Sequence, residues 1–350
     1  MRLHARELEG LSPTAPTLRG VHAALQRAIE LEHATIPAYL YAYYSLDTER
    51  NARAAGILKS VAIEEMGHMV MAANILTALG GHPAISTPRF VPRYPGPLPG
   101  GVEGQLVVGL RRMDRAQLAA FITLEEPHHH LADAPSDETV GSVTIGEFYL
   151  AIAAAIRALG DGAFSGHPSH QVGPDLMYGA VIVTDVESAL ASIEVIVEQG
   201  EGTGASPLEV AGFGGNDVAH YYRLMEIYEG RTLRADPSAP DGFTYSGDPV
   251  PLDLEGVHAL PDNPTAASYP TGSSVARLND EFNLTYTRLL EVLHHLLNAT
   301  VNGPAFGAAV GLMEQLDSQA RLLVAEGVAA GIAAGPTFEY VTFDQLPPIP

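Results

Sequence analysis

The chain has 350 residues, 46% of them hydrophobic and only 7% aromatic, enough apolar material for a large, mainly helical core. A formal charge of −22 excludes nucleic acid and anionic membrane surfaces as partners, because phosphates need Lys and Arg to neutralise them. With no Cys there is no disulfide framework and no thiolate zinc or iron–sulfur site.

The N-terminal MRLHARELEG lacks the apolar core of a signal peptide, and no apolar run reaches membrane-spanning length. A cytoplasmic location is therefore expected. Thr17 can cap a first helix, Leu18 to Leu46, with Leu25, Ala28, Ile29, Ile36, Tyr39 and Leu40 on one stripe. Glu32 falls in the middle of that stripe. A carboxylate on a buried face needs a proton, a charged partner or a metal. Pro37 cannot donate to the carbonyl of His33, which predicts a kink or widened turn just beyond Glu32.

A second helix is predicted from Arg53 to Leu79, ended by Gly80-Gly81-His82-Pro83. Its stripe of Leu58, Val61, Ala62, Met69, Ala72 and Leu76 has Glu65 at its centre and His68 one turn on. Such a Glu-x-x-His pair projects a carboxylate and an imidazole from one helix face. Glu32 lies about 14 residues before the first helix ends, and Glu65 about 12 after the second begins. At ~1.5 Å per residue, an antiparallel hairpin sets the two glutamates level.

From Pro83 to Gly104 the chain is Pro- and Gly-rich yet apolar, which predicts an irregular crossover draped over the helices. Gln105–Leu110 reads as a short strand, and Asp114 to about Glu126 as a short helix stopped near Pro127. His128, His129 and His130 read as an exposed cluster and are assigned no role. Thr144 can cap a helix from Ile145 to Leu159. Glu147 in its first turn is either a second buried carboxylate or an acid favoured there by the helix dipole.

After a loop, Thr184 or Asp185 caps another long helix to about Gln199-Gly200, near whose end stand Glu198 and Glu201. Antiparallel pairing would set them level with Glu147. Helical phase places Glu201 nearer the apolar stripe than Glu198, and both remain candidates. Gly200–Gly215 reads as a loop able to serve as a lid. Asn216 then caps a helix to Tyr228 carrying Asp217-x-x-His220, where His220 is either a ligand or a hydrogen-bonded core residue. Residues 231–274 form a Pro/Gly/Asp-rich excursion, followed by helices over Val275–Asn298 and Pro304–Ala329 and a tail that packs back. This divides the chain into a metal-binding bundle over 1–231 and a C-terminal part over 232–350. No phosphate-binding Gly loop and no Ser-centred nucleophile elbow is present.

Together these features predict a mainly all-α fold. The inventory resembles the ferritin-like four-helix plan, in which two helices each give a Glu and two each give a Glu-x-x-His. Glu32, Glu65 and His68 fit one half. The other half departs from the plan, since Glu198-x-x-Glu201 stands where Glu-x-x-His is expected and the imidazole must come from His220. An alternative register uses Glu194 or Glu198 with Asp217 and His220. More specifically, LQRAIELEHATIPAYLYAYYSL, SVAIEEMGHMVMAANILTALGGHP, TIGEFYLAI, IVEQGEGT and AHYYRLMEIYEGR look like the ferritin-like domain of iminophenyl-pyruvate dimer synthases. Those enzymes act in violacein- and rebeccamycin-type indole pathways.

That resemblance implies a metal site drawn from Glu32, Glu65, His68, Glu147, Glu198, Glu201 and His220. It also implies oxidative coupling of amino-acid-derived imines, with iron as the natural metal. Mixed carboxylate and imidazole ligands suit Fe or Mn, as one or two ions, better than thiolate-loving metals. The expected partners are a small organic substrate and O₂ or peroxide, with a homodimer as assembly. Tyr39, Tyr43, Tyr221 and Tyr222 either line the approach or belong to the core. Two other readings stay open: a metal-binding accessory protein without turnover, and iron storage or detoxification.

Overall fold

The first two helices pair as their stripes demand. In a computed structural model, which describes residues 2–101, 106–127, 142–201, 207, 218–240, 242–329 and 331–342, α1 spans Leu18–Tyr44 and α2 spans Ala52–Ala78. Thr17 caps α1, its hydroxyl accepting the Gly20 N–H at 3.0 Å. α1 continues through Pro37 as one helix. Just before that proline, the Tyr94 hydroxyl of the irregular crossover donates to the Ala34 carbonyl at 2.7 Å. α2 ends where Gly80 takes a left-handed φ of +78°, which a side chain would disfavour.

α3 (Arg115–Leu124) is capped by Asp114 and α4 (Ile145–Leu159) by Thr144. α5 runs from Val186 to Glu201 and α6 from His220 to Glu229. α4 packs on α1, and α5 on both α2 and α4, which closes a four-helix bundle. α3 and α6 pack on one another, and α6 also on α2, so they reach the bundle from the side. α7 (Ser274–Asn298) and α8 (Gly303–Ala325) form a second hairpin against α1 and α2.

Strands are few and short among the described residues. β1 (Arg2–His4) pairs antiparallel with β2 (Ser142–Thr144), β3 (Arg234–Ala235) with β4 (Phe243–Thr244), and β5 (Gly327–Ala329) with β6 (Ile332–Ala333). The strand expected at 105–110 reduces to one bridge between Gly96 and Val108. Pro92, Pro95, Pro97 and Pro99 in the facing segment have no N–H with which to extend a ladder. α8 stops at Ala325, short of the expected Ala329, because the chain turns there into β5.

The long excursion after α6 is stitched to the body at Asn51, 1% exposed just before α2. Its amide donates to the carbonyls of Asp253 (3.1 Å) and Gly256 (3.0 Å) and accepts the Asp253 N–H at 2.7 Å. Backbone this deep must be paired, and one side chain does it three times.

His33 faces the α7–α8 side, with its Nε2 bonded to the Tyr286 hydroxyl at 2.8 Å and its ring 4.3 Å from that of Phe90. Burial pushes its pKa down from 6.5 to about 3. Below pH 6.5 the unfolded chain takes up a proton that the folded chain refuses. The stabilisation is therefore full above pH 6.5 and is lost as the pH falls toward 3. Urea denaturation of the wild type and His33→Phe at pH 7 and pH 4 should show the wild type losing on the order of 3 kcal/mol more than the variant. Equal losses in the two proteins would show that His33 is not held neutral.

Candidate metal centre

Helical phase brings Glu32 of α1 and Glu65 of α2 to the same height and face, as the hairpin requires. The two carboxylates and His68, one turn after Glu65, offer one ligand atom each within 4.8 Å of one another. His68 Nδ1 stands 3.7 Å from Glu32 Oε2. All three are buried, at 7%, 4% and 2% exposure.

A second trio shares Glu65. His220, the first residue of α6, places Nδ1 3.0 Å from Glu65 Oε1 and 3.6 Å from Oε2 of Glu125, just past the end of α3. Glu65, Glu125 and His220 again converge within 4.8 Å. Glu65 thus stands between the trios, its other oxygen accepting from the Thr35 hydroxyl at 3.2 Å.

Both imidazoles are oriented from behind. His68 Nε2 lies 2.7 Å from Gln199 Oε1, an amide oxygen that only accepts, so Nε2 carries a proton there. His220 Nε2 lies 3.0 Å from Glu64 Oε2, where the same logic holds. In the neutral form of each ring, Nδ1 is then a bare lone pair turned toward carboxylates. His220 Nδ1 is fully buried and makes no well-aligned hydrogen bond, although Glu65 Oε1 stands 3.0 Å from it. An imidazole nitrogen facing two carboxylates has the donor chemistry of a cation site, and partners on the far nitrogen are the usual support of metal-ligating histidines.

Electrostatics points the same way. Burial, then Glu125 and Glu32, push the Glu65 carboxyl up to about 8. Burial would also raise Glu32, but the hydrogen bond and charge of His68 outweigh it and hold Glu32 below its ordinary range. At His68 burial works downward and Glu32 and Glu65 overcome it; at His220 Glu125, Glu64 and Glu65 do so by a wide margin. The Glu65 carboxyl and the two imidazoles thus favour holding protons that a cation would replace. Glu64, fully buried, is held at about 2: burial opposes ionisation, but His220 and Arg223 outweigh it.

The bundle's other two helices supply different groups from those expected. From α4 comes Tyr149, 1% exposed, whose hydroxyl donates to Glu32. From α5 comes Gln199. Glu147 instead completes a capping box, Oε2 accepting the Thr144 N–H at 2.7 Å, because a first-turn Glu three residues after a Thr cap reaches back to it. Glu198 is half-buried and belongs to neither trio, and Glu194 is exposed. Helical rotation turns Gln199, not Glu198, inward. Glu201 closes α5, but its side chain lies outside the described residues, as do His128, His129, His130, Asn216 and Asp217.

Tyr39 is fully buried and donates to Glu125, so it belongs to the centre. Tyr43 bonds Arg321 on the α8 side at 2.7 Å and does not. Glu125, Glu64, Tyr149 and Gln199 are not among the site candidates that the sequence offers. Glu125 had a usable signal: it lies four residues after buried Phe121, as Glu32 lies four after buried Ala28. Glu64 had none, being about 100° from Glu65 around α2 and buried only because α6 covers it.

A small cavity of about 50 Å³ adjoins both trios. Leu31, Leu98, Leu124, Ile145 and Ile196 give it apolar walls against Glu32, Glu65, His68 and Glu125. It is room for one or a few water-sized molecules.

A ferritin-like family model matches residues 25–229. A ferritin-like protein of known crystal structure from Caulobacter vibrioides has the same fold, with a TM-score of 0.62 and 22% identity over 93% of this chain and 99% of that one. None of the curated proteins matches the chain. Among the described residues no helix is long and apolar enough to cross a membrane.

Proposed function

The chain belongs to the ferritin-like family, and from that premise we propose that it is a non-haem oxidoreductase that holds iron, or manganese, between the two trios. The observation that carries this reading is the pair of histidines whose Nε2 atoms are engaged and whose Nδ1 atoms converge on two buried carboxylates and one half-buried carboxylate. Glu32, Glu65, His68, Glu125 and His220 would hold the metal, one or two ions with Glu65 shared. Oxygen and imidazole donors without a thiolate favour Fe or Mn over softer choices. When bound, the metal supplies one-electron redox chemistry toward O₂ or peroxide.

The remaining work falls to the chain. Gln199 and Glu64 fix the two rings. The Tyr149 and Tyr39 hydroxyls hold protons against Glu32 and Glu125. The leucine and isoleucine walls exclude bulk water, which strengthens each of these interactions. The resemblance to iminophenyl-pyruvate dimer synthases supports an amino-acid-derived imine as substrate and its oxidation or coupling as the reaction. The small size of the cavity favours a second reading, in which O₂ or peroxide is used to oxidise iron itself, as in detoxification.

Elemental analysis of protein purified aerobically, and again after anaerobic Fe(II) loading, tests the site. One or two Fe or Mn per chain is expected. Oxygen uptake by the loaded protein, with and without imines generated from aromatic amino acids, then separates the readings: uptake that needs the imine supports the oxidoreductase, and uptake driven by Fe(II) alone supports detoxification. No metal after loading would sink both.

A further inference from the structure

The two trios are matched almost group for group. Each has two carboxylates and one imidazole, and Glu65 serves both. In each, the carboxylate that is not shared takes a phenol proton, Glu32 from Tyr149 and Glu125 from Tyr39. Those two side chains are also alike in depth, 8% exposed at Glu32 and 10% at Glu125. Charge, donor set and depth therefore do not separate the trios.

Among the described residues, what separates them is the group behind each ring. His68 Nε2 meets a neutral amide oxygen, that of Gln199. His220 Nε2 meets the carboxylate of Glu64, which is 0% exposed. Arg223 grips both oxygens of Glu64 and also donates to the Ser60 hydroxyl at 2.9 Å, which fixes the carboxylate in place with its countercharge. His220 and Arg223 stand one turn apart on α6, and Glu64 lies on α2, so the arrangement is built where α6 packs on α2.

The amide contact is the shorter, 2.7 Å against 3.0 Å. Acceptor charge outweighs that difference, because a hydrogen bond to an ionised group is about twice as strong as one between neutral groups. Arg223 offsets part of the gain, since one of its nitrogens shares Oε2 with His220, but the acceptor is still a carboxylate. A ring that donates to a carboxylate is the more basic ligand at its other nitrogen. Resting on the metal reading, we propose that the Glu64–Arg223 pair makes Glu65, Glu125 and His220 the high-affinity position, filled first. Glu32, Glu65 and His68, backed by Gln199, form the weaker second position. Glu64 and Arg223 are positioning residues that act through His220.

The probe is Mn(II), titrated into the full-length, metal-free protein and followed by electron paramagnetic resonance, which reads binding without turnover. The first equivalent should give the signal of isolated bound Mn(II). The second, at least about tenfold weaker, should convert it to that of an exchange-coupled pair. His220→Ala should abolish the tight step, and His68→Ala should keep it and remove the weak one. A chain that holds a single ion should lose it in His220→Ala and keep it in His68→Ala. Glu64→Gln/Arg223→Met should weaken the tight step about 10–100-fold and leave the weak step unchanged. Gln199→Met should do the reverse, and it carries the comparison should the double variant fail to fold. A merely structural role would lower both steps together, and circular dichroism verifies folding of each variant. The proposal is overturned, with the metal reading intact, by two equal steps, by a tight step that survives His220→Ala, or by folded Glu64/Arg223 and Gln199 variants that weaken both steps alike. No bound Mn(II), and no Fe after loading, would overturn the metal reading and this inference with it.

Discussion

Glu65→Ala should strip metal from both trios at once, lowering affinity on the order of a hundredfold or more. Each trio contains Glu65, and no other residue is common to the two. Glu32→Ala and Glu125→Ala each disturb one trio, so each should leave a substantial fraction of the metal in place. Folding does not confound the comparison. Without metal, Glu65 is a carboxyl that burial and two acidic neighbours push up to about 8, so at neutral pH it is mostly protonated and contributes little as a charge. Glu65→Gln, which keeps its shape, should therefore sit within about 1 kcal/mol of the wild type in the metal-free state while binding metal as poorly as Glu65→Ala. Elemental analysis and calorimetric Fe(II) titration of the four variants, beside urea denaturation, provide the readout. A Glu65→Ala protein with the metal content of Glu125→Ala would show that Glu65 is not shared.

The half of the centre built from α1 and α2 was legible because it is local. A stripe of period 3.6 with a carboxylate at its middle needs no knowledge of the rest of the chain, and a short turn fixes how Glu32 meets Glu65. Thr17 and Thr144 were legible as caps for the same reason. The other half rests on long-range packing. Glu125 reaches His220 because α3 packs on α6, elements separated by about a hundred residues of sequence and without periodicity linking them. On α4 and α5, cap position and helical phase point to Glu147, Glu198 and Glu201, whereas the structure turns other groups toward the trios. There a tyrosine and an amide, Tyr149 and Gln199, act through hydrogen bonds to Glu32 and His68. Neither residue type signals a metal site by composition, and each gains meaning only from what it touches.

Arg223→Met should destabilise the metal-free protein by about 3–5 kcal/mol, the usual cost of leaving a buried charge without its partner. Glu64 is 0% exposed and Arg223 3%. The guanidinium meets the carboxylate with both terminal nitrogens, one of them 3.0 Å from Oε1, and the same nitrogen reaches the Ser60 hydroxyl at 2.9 Å. With Arg223 gone, only His220 among the described residues remains to hold the Glu64 charge. Arg223→Lys keeps the charge but loses the planar fork, and should recover only part of the stability. The double variant Glu64→Gln/Arg223→Met removes the stranded charge and should be markedly more stable than Arg223→Met alone, a non-additivity of roughly 1–3 kcal/mol. Glu64→Gln keeps an acceptor for His220 Nε2, so the double variant should still bind metal, within the 10–100-fold loss expected of such a supporting residue. Urea denaturation of these three variants and of Glu64→Gln alone, in chelator-treated buffer, measures the stabilities apart from any metal linkage. An Arg223→Met protein within 1 kcal/mol of wild type would mean that Glu64 is protonated, and that His220 is held by an ordinary neutral hydrogen bond.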